Sequence, residues 1–199
     1  MREASVPFEP GAIAIGSSAG GIRALTMVLG DLPTDLPVPV FLVQHLDPRH
    51  RTGLAEVLGR RTSLPVTLAE AGLLAEQGVV YLAPPGRHLL VGPGGALALS
   101  DADLVNFVRP SADLLLESVA AAYGERAIGC VLTGSGRDGA AGLAAIKSRG
   151  GTAIVENPGT AEFKSMPLAA VKATPVDFVV PLEKIASVVC GLVASRRAR

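Results

Sequence analysis

The sequence predicts an α/β fold: a doubly wound, mostly parallel sheet with helices on both faces and a small antiparallel hairpin. Candidate strands and helices alternate along almost the whole chain of 199 residues, which is typical of βαβ units. The candidate strands are apolar throughout rather than alternating, so we expect them to be buried on both faces. Glycine (23 residues) and proline (15 residues) are frequent, as expected where tight turns join many short elements.

The predicted strands are short apolar runs that end in glycine, proline or polar residues. They lie at residues 12–15, 38–44, 79–83, 127–132, 152–155 and 178–180. Segments 88–91 and 96–100 flank a Gly-Pro-Gly-Gly turn and therefore predict the antiparallel hairpin.

Helices are predicted between the strands, where apolar residues recur with helical spacing. They lie at residues 20–29, 53–61, 111–123, 138–149, 166–172 and 182–194. Ser111 is the predicted N-cap of the third of these helices, and Gly124 ends it.

The length and the continuous alternation of elements predict a single domain at residues 11–195, which is long enough to be a catalytic domain. Residues 1–10 are interpreted as a flexible N-terminal arm, and residues 196–199 as a frayed basic tail. Hydrophobic residues make up 49% of the chain, which excludes disorder as its general state.

Composition excludes several classes of function. Lys and Arg number 18 and Asp and Glu number 18, and a formal net charge of zero argues against a nucleic-acid binder. No apolar run approaches the roughly 20 residues that cross a bilayer, and no signal peptide is present, so we expect a cytoplasmic protein without membrane insertion. Cys130 and Cys190 have no zinc-ligand spacing, so we expect two buried, reduced thiols and no metal or other cofactor.

Polar clusters follow three predicted strands, at the edge where parallel sheets bind their ligands. The first is the glycine-rich turn at residues 16–21, which places a serine at a helix N-terminus. Unpaired N–H groups at such a turn can cradle a phosphate or stabilise an oxyanion beside a nucleophilic serine. A serine N-cap without any further role is equally compatible with this turn taken alone.

The second cluster contains His45, which directly follows a strand and is best placed among the histidines for general base chemistry. His50 lies in a polar loop and is interpreted as a solvated surface residue. His88 follows a proline-rich turn, where a structural role and a place on the substrate rim are equally compatible with the sequence.

The third cluster is the loop at residues 133–138, which delivers Asp138 to the start of a helix. An aspartate there either caps the helix or orients a histidine. Arg137 is expected to be exposed, where it can contact an anionic substrate or partner. A serine, a histidine and an aspartate at the ends of strands are the minimum set for nucleophilic acyl transfer, although their order differs from that of the α/β-hydrolases.

Six motifs extend these clusters over nearly the whole chain. They are IGSSAGG (residues 15–21), VQH (43–45), YLAPPGRH (81–88), RPSADLLLES (109–118), VLTGSGRDGAAGL (131–143) and SMPLAA (165–170). In this order they resemble the catalytic domain of the chemotaxis protein-glutamate methylesterases, the CheB family. The resemblance implies a cofactor-free serine hydrolase that removes glutamyl methyl esters from the cytoplasmic domains of chemoreceptors. Some members of that family also deamidate glutamine.

The resemblance also implies a role for individual residues. Ser18 corresponds to the nucleophile, His45 to the general base and Asp138 to the acid that orients the histidine. Backbone N–H groups of Ala19 and Ser135 are the expected oxyanion donors. We therefore expect Ser18 Oγ to lie about 2.6–3.2 Å from one ring nitrogen of His45, with Asp138 on the other.

The sequence departs from the family pattern near the expected substrate rim. Ser135 stands where the family usually has methionine, and residues 165–168 read SMPL where it usually reads GMPR. Met166 and Arg137 are the predicted rim residues. Ten residues before the first strand are too few for a receiver domain, so we expect either activity without a phosphodonor or control by a separate receiver or regulator protein.

Two other functions remain open at this stage. One is a phosphate- or nucleotide-binding module built on the turn at residues 16–21, and its ligand binding would not depend on His45. The other is a non-catalytic docking relative of the esterases in a signalling pathway. Labelling of Ser18 by a serine-reactive phosphonate distinguishes the esterase from both.

Overall fold

The computed structural model describes residues 11–45 and 53–197. Within these ranges the strands are β1 (Ala12–Ser17), β2 (Val40–Gln44), β3 (Val66–Leu68), β4 (Val80–Leu82), β5 (His88–Val91), β6 (Leu97–Ser100), β7 (Ala127–Val131), β8 (Thr152–Glu156) and β9 (Phe178–Val180). The α-helices are α1 (Gly21–Gly30), α2 (Leu54–Gly59), α3 (Ala112–Tyr123), α4 (Ala140–Ser148), α5 (Ser165–Ala173) and α6 (Leu182–Arg197). The predicted N-terminal arm and His50 lie outside the described residues.

Seven strands form one parallel sheet in the order β3-β4-β2-β1-β7-β8-β9, while β5 and β6 form an antiparallel pair. β1 lies at the centre, between β2 and β7. The chain therefore winds outward from β1 first in one direction and then in the other, which confirms the predicted doubly wound fold. The carboxyl ends of β1, β2 and β7 meet where the strand order reverses, the usual place of a binding crevice in such sheets.

Helices cover both faces of the sheet. α1, α2 and α6 pack on the face that receives Ile13 and Ile15, while α3, α4 and α5 pack on the face that receives Ala12 and Ala14. Successive side chains of a strand point to opposite faces, so a strand covered on both faces has no position open to solvent. This is why all six residues of β1 are buried.

β3 and α4 differ from the sequence predictions. The edge strand β3 was not predicted, because it has only three residues and none of them is fully buried, so no apolar run marks it. α4 begins at Ala140 rather than at Asp138, because Gly139 is its N-cap with a left-handed φ of 96°. Asp138 therefore lies outside the helix that follows it.

The C-terminal helix α6 extends further than predicted. Arg196, assigned by the sequence to a frayed tail, lies within it. Its guanidinium donates hydrogen bonds to the carbonyl oxygen of Arg126 at 2.6 Å and to Thr152 Oγ1 at 2.9 Å, which ties this end of α6 to the sheet. Residues 198–199 lie outside the described residues. No helix in the described part of the chain combines the length and apolarity needed to cross a membrane.

The two cysteines have different environments. Cys130 lies in β7 and is fully buried, and this burial raises the pKa of its thiol far above the ordinary value. Cys190 lies in α6 and is only partly buried, so the prediction of two buried thiols is correct for Cys130 alone. Both thiols are unpaired.

Candidate active site

The three polar clusters predicted from the sequence meet at the carboxyl ends of the central strands. Ser18 directly follows β1, His45 directly follows β2, and Asp138 lies on the loop that leaves β7. The parallel pairing of β1 with both β2 and β7 places these three strand ends side by side.

Ser18 lies in a tight connection between β1 and α1. Its backbone N–H donates to the carbonyl oxygen of Thr133 at 3.1 Å, which joins this turn to the loop after β7. Gly20, the N-cap of α1, has a left-handed φ of 75° that other residues rarely adopt. The glycine allows the chain to turn from strand to helix within three residues and leaves Ser18 at the helix N-terminus.

The two adjacent serines have opposite environments. Ser17 is fully buried, and its hydroxyl donates to Gln44 Oε1 at 2.8 Å. Gln44 Nε2 in turn donates to the carbonyl oxygens of Ser18 at 2.8 Å and of His45 at 2.9 Å, so one amide fixes both backbones. Ser18 is partly exposed, and its hydroxyl has no hydrogen-bond partner within residues 11–45 and 53–197. Ser18 is therefore the serine that is free to react.

His45 and Asp138 are in direct contact, as expected. His45 Nε2 lies 2.8 Å from Asp138 Oδ2, and the two side chains are 11% and 3% exposed. This contact leaves the other ring nitrogen, Nδ1, for a further partner. In the chymotrypsin-type triad the acid contacts Nδ1 instead, so the ring here uses its nitrogens in the opposite order.

Asp138 occupies the N-terminus of α3 rather than that of its own helix. Its Oδ1 accepts from the Ser111 hydroxyl at 2.7 Å and from the Asp113 N–H at 3.2 Å, and its Oδ2 accepts from the Ala112 N–H. Burial acts to raise the pKa of Asp138, but hydrogen bonds from His45, Ser111 and Ala112 outweigh it and lower the pKa below its ordinary value. The positive end of the α3 dipole favours the same ionised form.

Ser18 and His45 line a common cavity of about 400 Å³, together with Arg23 and Glu162. No hydrogen bond joins Ser18 Oγ to the His45 ring, so the expected contact of 2.6–3.2 Å is absent in this structure. Catalytic hydrogen bonds are commonly longer before substrate binds. Another cavity, of about 420 Å³, lies beside α6 and is lined by none of these residues.

The expected oxyanion donors are free to bind an anion. Neither the Ala19 N–H nor the Ser135 N–H donates a hydrogen bond to any residue that the structure describes. Ala19 also lines the cavity beside Ser18. The neighbouring Gly134 N–H, in contrast, is occupied by the carbonyl oxygen of Phe163 at 2.9 Å.

The two predicted rim residues differ in their surroundings. Met166 has no exposed surface and packs in the core on the α3 face of the sheet, so its assignment to the rim is wrong. Its sulfur occupies the space that a side chain at Gly134 would need, so Met166 packs against the loop that contains Gly134. Arg137 is exposed, and its Nε donates to Asn106 Oδ1 at 3.0 Å.

His88 has a structural role, which settles the choice left open by the sequence. It is fully buried, its Nδ1 accepts from the Ser111 N–H at 3.1 Å, and its Nε2 lies 3.1 Å from the carbonyl oxygen of Asp103. His88 thereby fixes the two ends of the segment 103–111, which borders the site.

Segment 103–111 forms a second wall of the site that the sequence did not predict. A cavity of about 210 Å³ lies between His45 and the exposed side chains of Leu104 and Phe107. Val105 and Val108 exchange two backbone hydrogen bonds of 3.1 and 3.0 Å, which closes a two-residue turn. Both central residues have positive φ, which suits asparagine but not phenylalanine, and the Phe107 side chain is 95% exposed.

The chain is similar to known proteins over almost its whole length. The family model described as CheB methylesterase matches residues 13–189. A relative from Leptospira interrogans is 43% identical over 175 residues, which cover 88% of this chain and 91% of the relative. Protein-glutamate methylesterase FrzG of Myxococcus xanthus is 41% identical over 184 residues, which cover 92% of this chain and 55% of FrzG.

Two further relatives extend the comparison. A protein-glutamate methylesterase/protein-glutamine glutaminase of Archaeoglobus fulgidus is 41% identical over 177 residues, which cover 87% of this chain and 51% of the relative. This chain thus spans about half the length of that protein and of FrzG. The crystal structure of the Thermotoga maritima CheB methylesterase catalytic domain superimposes with a TM-score of 0.87 at 35% identity, covering 94% of this chain and 99% of that one.

Proposed function

The chain belongs to the CheB methylesterase family, and from that premise we propose that it is a serine hydrolase acting on methylated glutamate side chains of chemoreceptor cytoplasmic domains. The observation that carries the proposal is the 2.8 Å contact of His45 with Asp138 beside Ser18, whose hydroxyl has no partner among the described residues. The names of the Myxococcus and Archaeoglobus relatives support methylated glutamate of a protein as the substrate class. With this substrate we also propose a cytoplasmic location for the enzyme.

Acylation begins with attack of Ser18 Oγ on the carbonyl carbon of the methyl ester. His45 takes the hydroxyl proton, and Nδ1 is the nitrogen that does so because Nε2 already contacts Asp138. The carboxylate of Asp138 fixes the tautomer and stabilises the imidazolium that forms. A rotation about the Cα–Cβ bond of Ser18 is the motion that brings its Oγ toward His45.

The tetrahedral intermediate carries a negative charge on the former carbonyl oxygen. The N–H groups of Ala19 and Ser135 are the donors proposed for this oxyanion, because no other acceptor among the described residues occupies them. Collapse of the intermediate breaks the bond to the methoxy group, which leaves as methanol with the proton held by His45. Water, activated by His45, then cleaves the glutamyl ester of Ser18 and releases glutamate.

The same groups support deamidation of glutamine, in which ammonia replaces methanol as the leaving group. The name of the Archaeoglobus relative includes this second activity. Both substrates are neutral acyl groups that yield the same glutamyl ester of Ser18, so one deacylation step serves both reactions.

The proposed function is tested by methanol release from methylated receptor cytoplasmic domains, with Ser18→Ala as the control. We expect release by the purified chain without acetyl phosphate, because the cavity beside Ser18 opens to solvent among the described residues. Release only after addition of a phosphorylated receiver protein would assign control to a partner chain. No release from any methylated receptor would reject the receptor substrate.

Phosphonate labelling tests the hydrolase separately from its substrate. A serine-reactive phosphonate is expected to label Ser18 and no other residue, and His45→Ala is expected to abolish labelling. A docking relative would remain unlabelled, and a phosphate-binding module would bind phosphate regardless of His45. Either result would overturn the esterase assignment.

We predict that Phe107 contributes to binding of the protein substrate. In the free enzyme the Phe107 side chain is 95% exposed, so it gains no stabilisation from burial. Its positive φ also lowers the stability of the fold. Phe107→Gly should raise KM by about 10- to 150-fold, since burial of such a side chain is worth about 1.5–3 kcal/mol. The free energy of unfolding should not fall, because glycine relieves the left-handed backbone.

The matched control is Leu74→Gly, which removes a side chain that is 65% exposed in the layer of the small hairpin. KM for the receptor should be unchanged in this variant. An equal rise of KM in both variants, or none in Phe107→Gly, would contradict the assignment of Phe107.

A further inference from the structure

Two buried aspartates beside His45 each accept hydrogen bonds at the N-terminus of the helix that the other one adjoins. Asp138 precedes α4 but accepts hydrogen bonds at the N-terminus of α3. Asp113 lies in the first turn of α3, but its Oδ1 accepts from the N–H groups of Gly139 and Gly142, both at 2.8 Å, at the N-terminus of α4. Each carboxylate thereby caps the other's helix, which locks the two helix starts together.

Asn106 bridges the two carboxylates. Its Nδ2 donates to Asp113 Oδ2 at 2.8 Å and to Asp138 Oδ1 at 3.3 Å. Its Oδ1 accepts from Arg137 Nε at 3.0 Å, so the orientation of the amide is fixed. The residue adopts a φ of 50°, a conformation that asparagine tolerates better than most residues. The side chain supplies two N–H donors at a point where two negative groups meet.

The Asn106 amide is one of several donors that favour the ionised form of the pair. Burial and the charge of Asp138 raise the pKa of Asp113 above its ordinary value, while hydrogen bonds from Gly142, Gly139 and Asn106 oppose the shift. Two adjacent carboxylates without donors between them tend to share a proton. A proton on Asp138 would weaken its hold on His45. The charged or titratable groups that face the pair among the described residues are His45, Asp113, Glu117, Arg137 and Asp138 itself.

We infer that Asn106 is a positioning residue of the hydrolase: its amide donates to Asp138 Oδ1 and thereby helps to keep the carboxylate oriented with Oδ2 directed at His45. The inference rests on the proposed function. Asn106 does not touch the reacting atoms, and it acts only through Asp138. Its backbone is held for this purpose by the turn that Val105 and Val108 close and by the contacts of His88 at both ends of the segment.

Swapping the side chains of residues 106 and 113 distinguishes a positioning role of Asn106 from a purely structural role. The variants are Asn106→Asp, Asp113→Asn and the double variant Asn106→Asp/Asp113→Asn. In the double variant the amide at position 113 donates to the carboxylate at position 106, and the contact with Arg137 and the total charge are kept. Asp138 Oδ1 nevertheless loses the amide donor of residue 106 and faces a carboxylate, while it keeps the Ser111 hydroxyl and the backbone N–H of residue 113.

We expect the double variant to recover the melting temperature lost in the single variants but not the activity. Its kcat for methanol release should remain on the order of 10²-fold below that of the wild-type enzyme, with KM unchanged. The acid limb of its kcat profile should move to higher pH, because Asp138 and the carboxylate at position 106 share a proton. Recovery of kcat and of the pH profile together with the melting temperature would overturn the inference.

An NMR measurement that does not depend on catalysis tests the role of Asn106 separately from the proposed function. The ring proton on His45 Nε2, hydrogen-bonded to Asp138, gives a downfield NMR signal in the wild-type chain. This signal should be lost or shifted upfield in Asn106→Asp and in the double variant. If the wild-type chain releases no methanol but the signal changes in this way, the proposed function fails and the positioning of Asp138 by Asn106 stands. An unchanged signal in the folded double variant would refute the positioning role.

Discussion

Replacement of Ser18 by alanine is expected to lower kcat for methanol release by about 10⁴- to 10⁶-fold. The variant lacks the side-chain oxygen proposed to form the acyl-enzyme, so any remaining rate comes from the oxyanion donors and from substrate binding. Its fold should be intact, because the Ser18 hydroxyl has no partner to lose among the described residues. Single-turnover kinetics and thermal unfolding measure the two effects separately.

Ser17→Ala is the matched control for that substitution. Ser17 is fully buried and its hydroxyl donates to Gln44 Oε1 at 2.8 Å, so alanine leaves a buried acceptor unpaired. The free energy of unfolding should fall by about 1–3 kcal/mol, while kcat should change far less than in Ser18→Ala. Equal losses of kcat in both variants, at native stability, would show that the nucleophile is assigned to the wrong serine.

The sequence was sufficient to predict the sheet and the place of its crevice. Strands buried on both faces carry an uninterrupted apolar signal, and the strand ends then locate Ser18, His45 and Asp138. The partners of Asp138 were not predictable in the same way. From the sequence, Asp138 is expected to cap the helix that follows it, but in the structure it caps α3. The packing of α3 against α4 determines which helix N-terminus lies nearest to Asp138.

The errors near the substrate rim have a related cause. Met166 lies in a motif near the expected rim, but whether a side chain on a short helix faces the rim or the core depends on its rotation, and here it is fully buried. The roles of Asn106 and Phe107 could not be predicted from the sequence. A positive φ at two adjacent non-glycine residues cannot be recognised from composition or periodicity. Both residues lie in the segment between the hairpin and α3, where no regular pattern constrains a prediction.

Asp138→Asn should have the next largest effect on activity, with a loss in kcat of about 10⁴-fold. Asp138 Oδ2 accepts from His45 and Ala112, while Oδ1 accepts from Ser111, Asp113 and Asn106. An asparagine has one acceptor oxygen, so each orientation of its amide directs an NH₂ group at backbone or side-chain donors. If the NH₂ group faces His45 it forces Nε2 to become the acceptor, and Nδ1 then carries the proton and cannot act as the base.

The same substitution should lower the free energy of unfolding by roughly 2–3 kcal/mol, since buried donors lose their acceptor. The pH dependence follows from the sign of the shift. Hydrogen bonds hold the pKa of Asp138 below its ordinary value despite burial, so its ionised form stabilises the fold at neutral pH. That contribution is lost as the pH falls through the lowered pKa. The unfolding free energy of Asp138→Asn should therefore decline less between neutral and acid pH than that of the wild-type chain.

Asp177→Asn provides the matched control, because it removes another carboxylate whose pKa is lowered. Asp177 is exposed and lies beside β9, where it accepts from Lys147 Nζ and from the Ala153 N–H, each at 2.8 Å. Burial acts against the lowered pKa of Asp177, and the hydrogen bond from Lys147 outweighs it. This variant should lose stability at neutral pH and keep its kcat. If Asp138→Asn kept kcat within tenfold of the wild-type value while Asp177→Asn behaved as expected, Asp138 would stabilise the helix pair and take no part in the reaction.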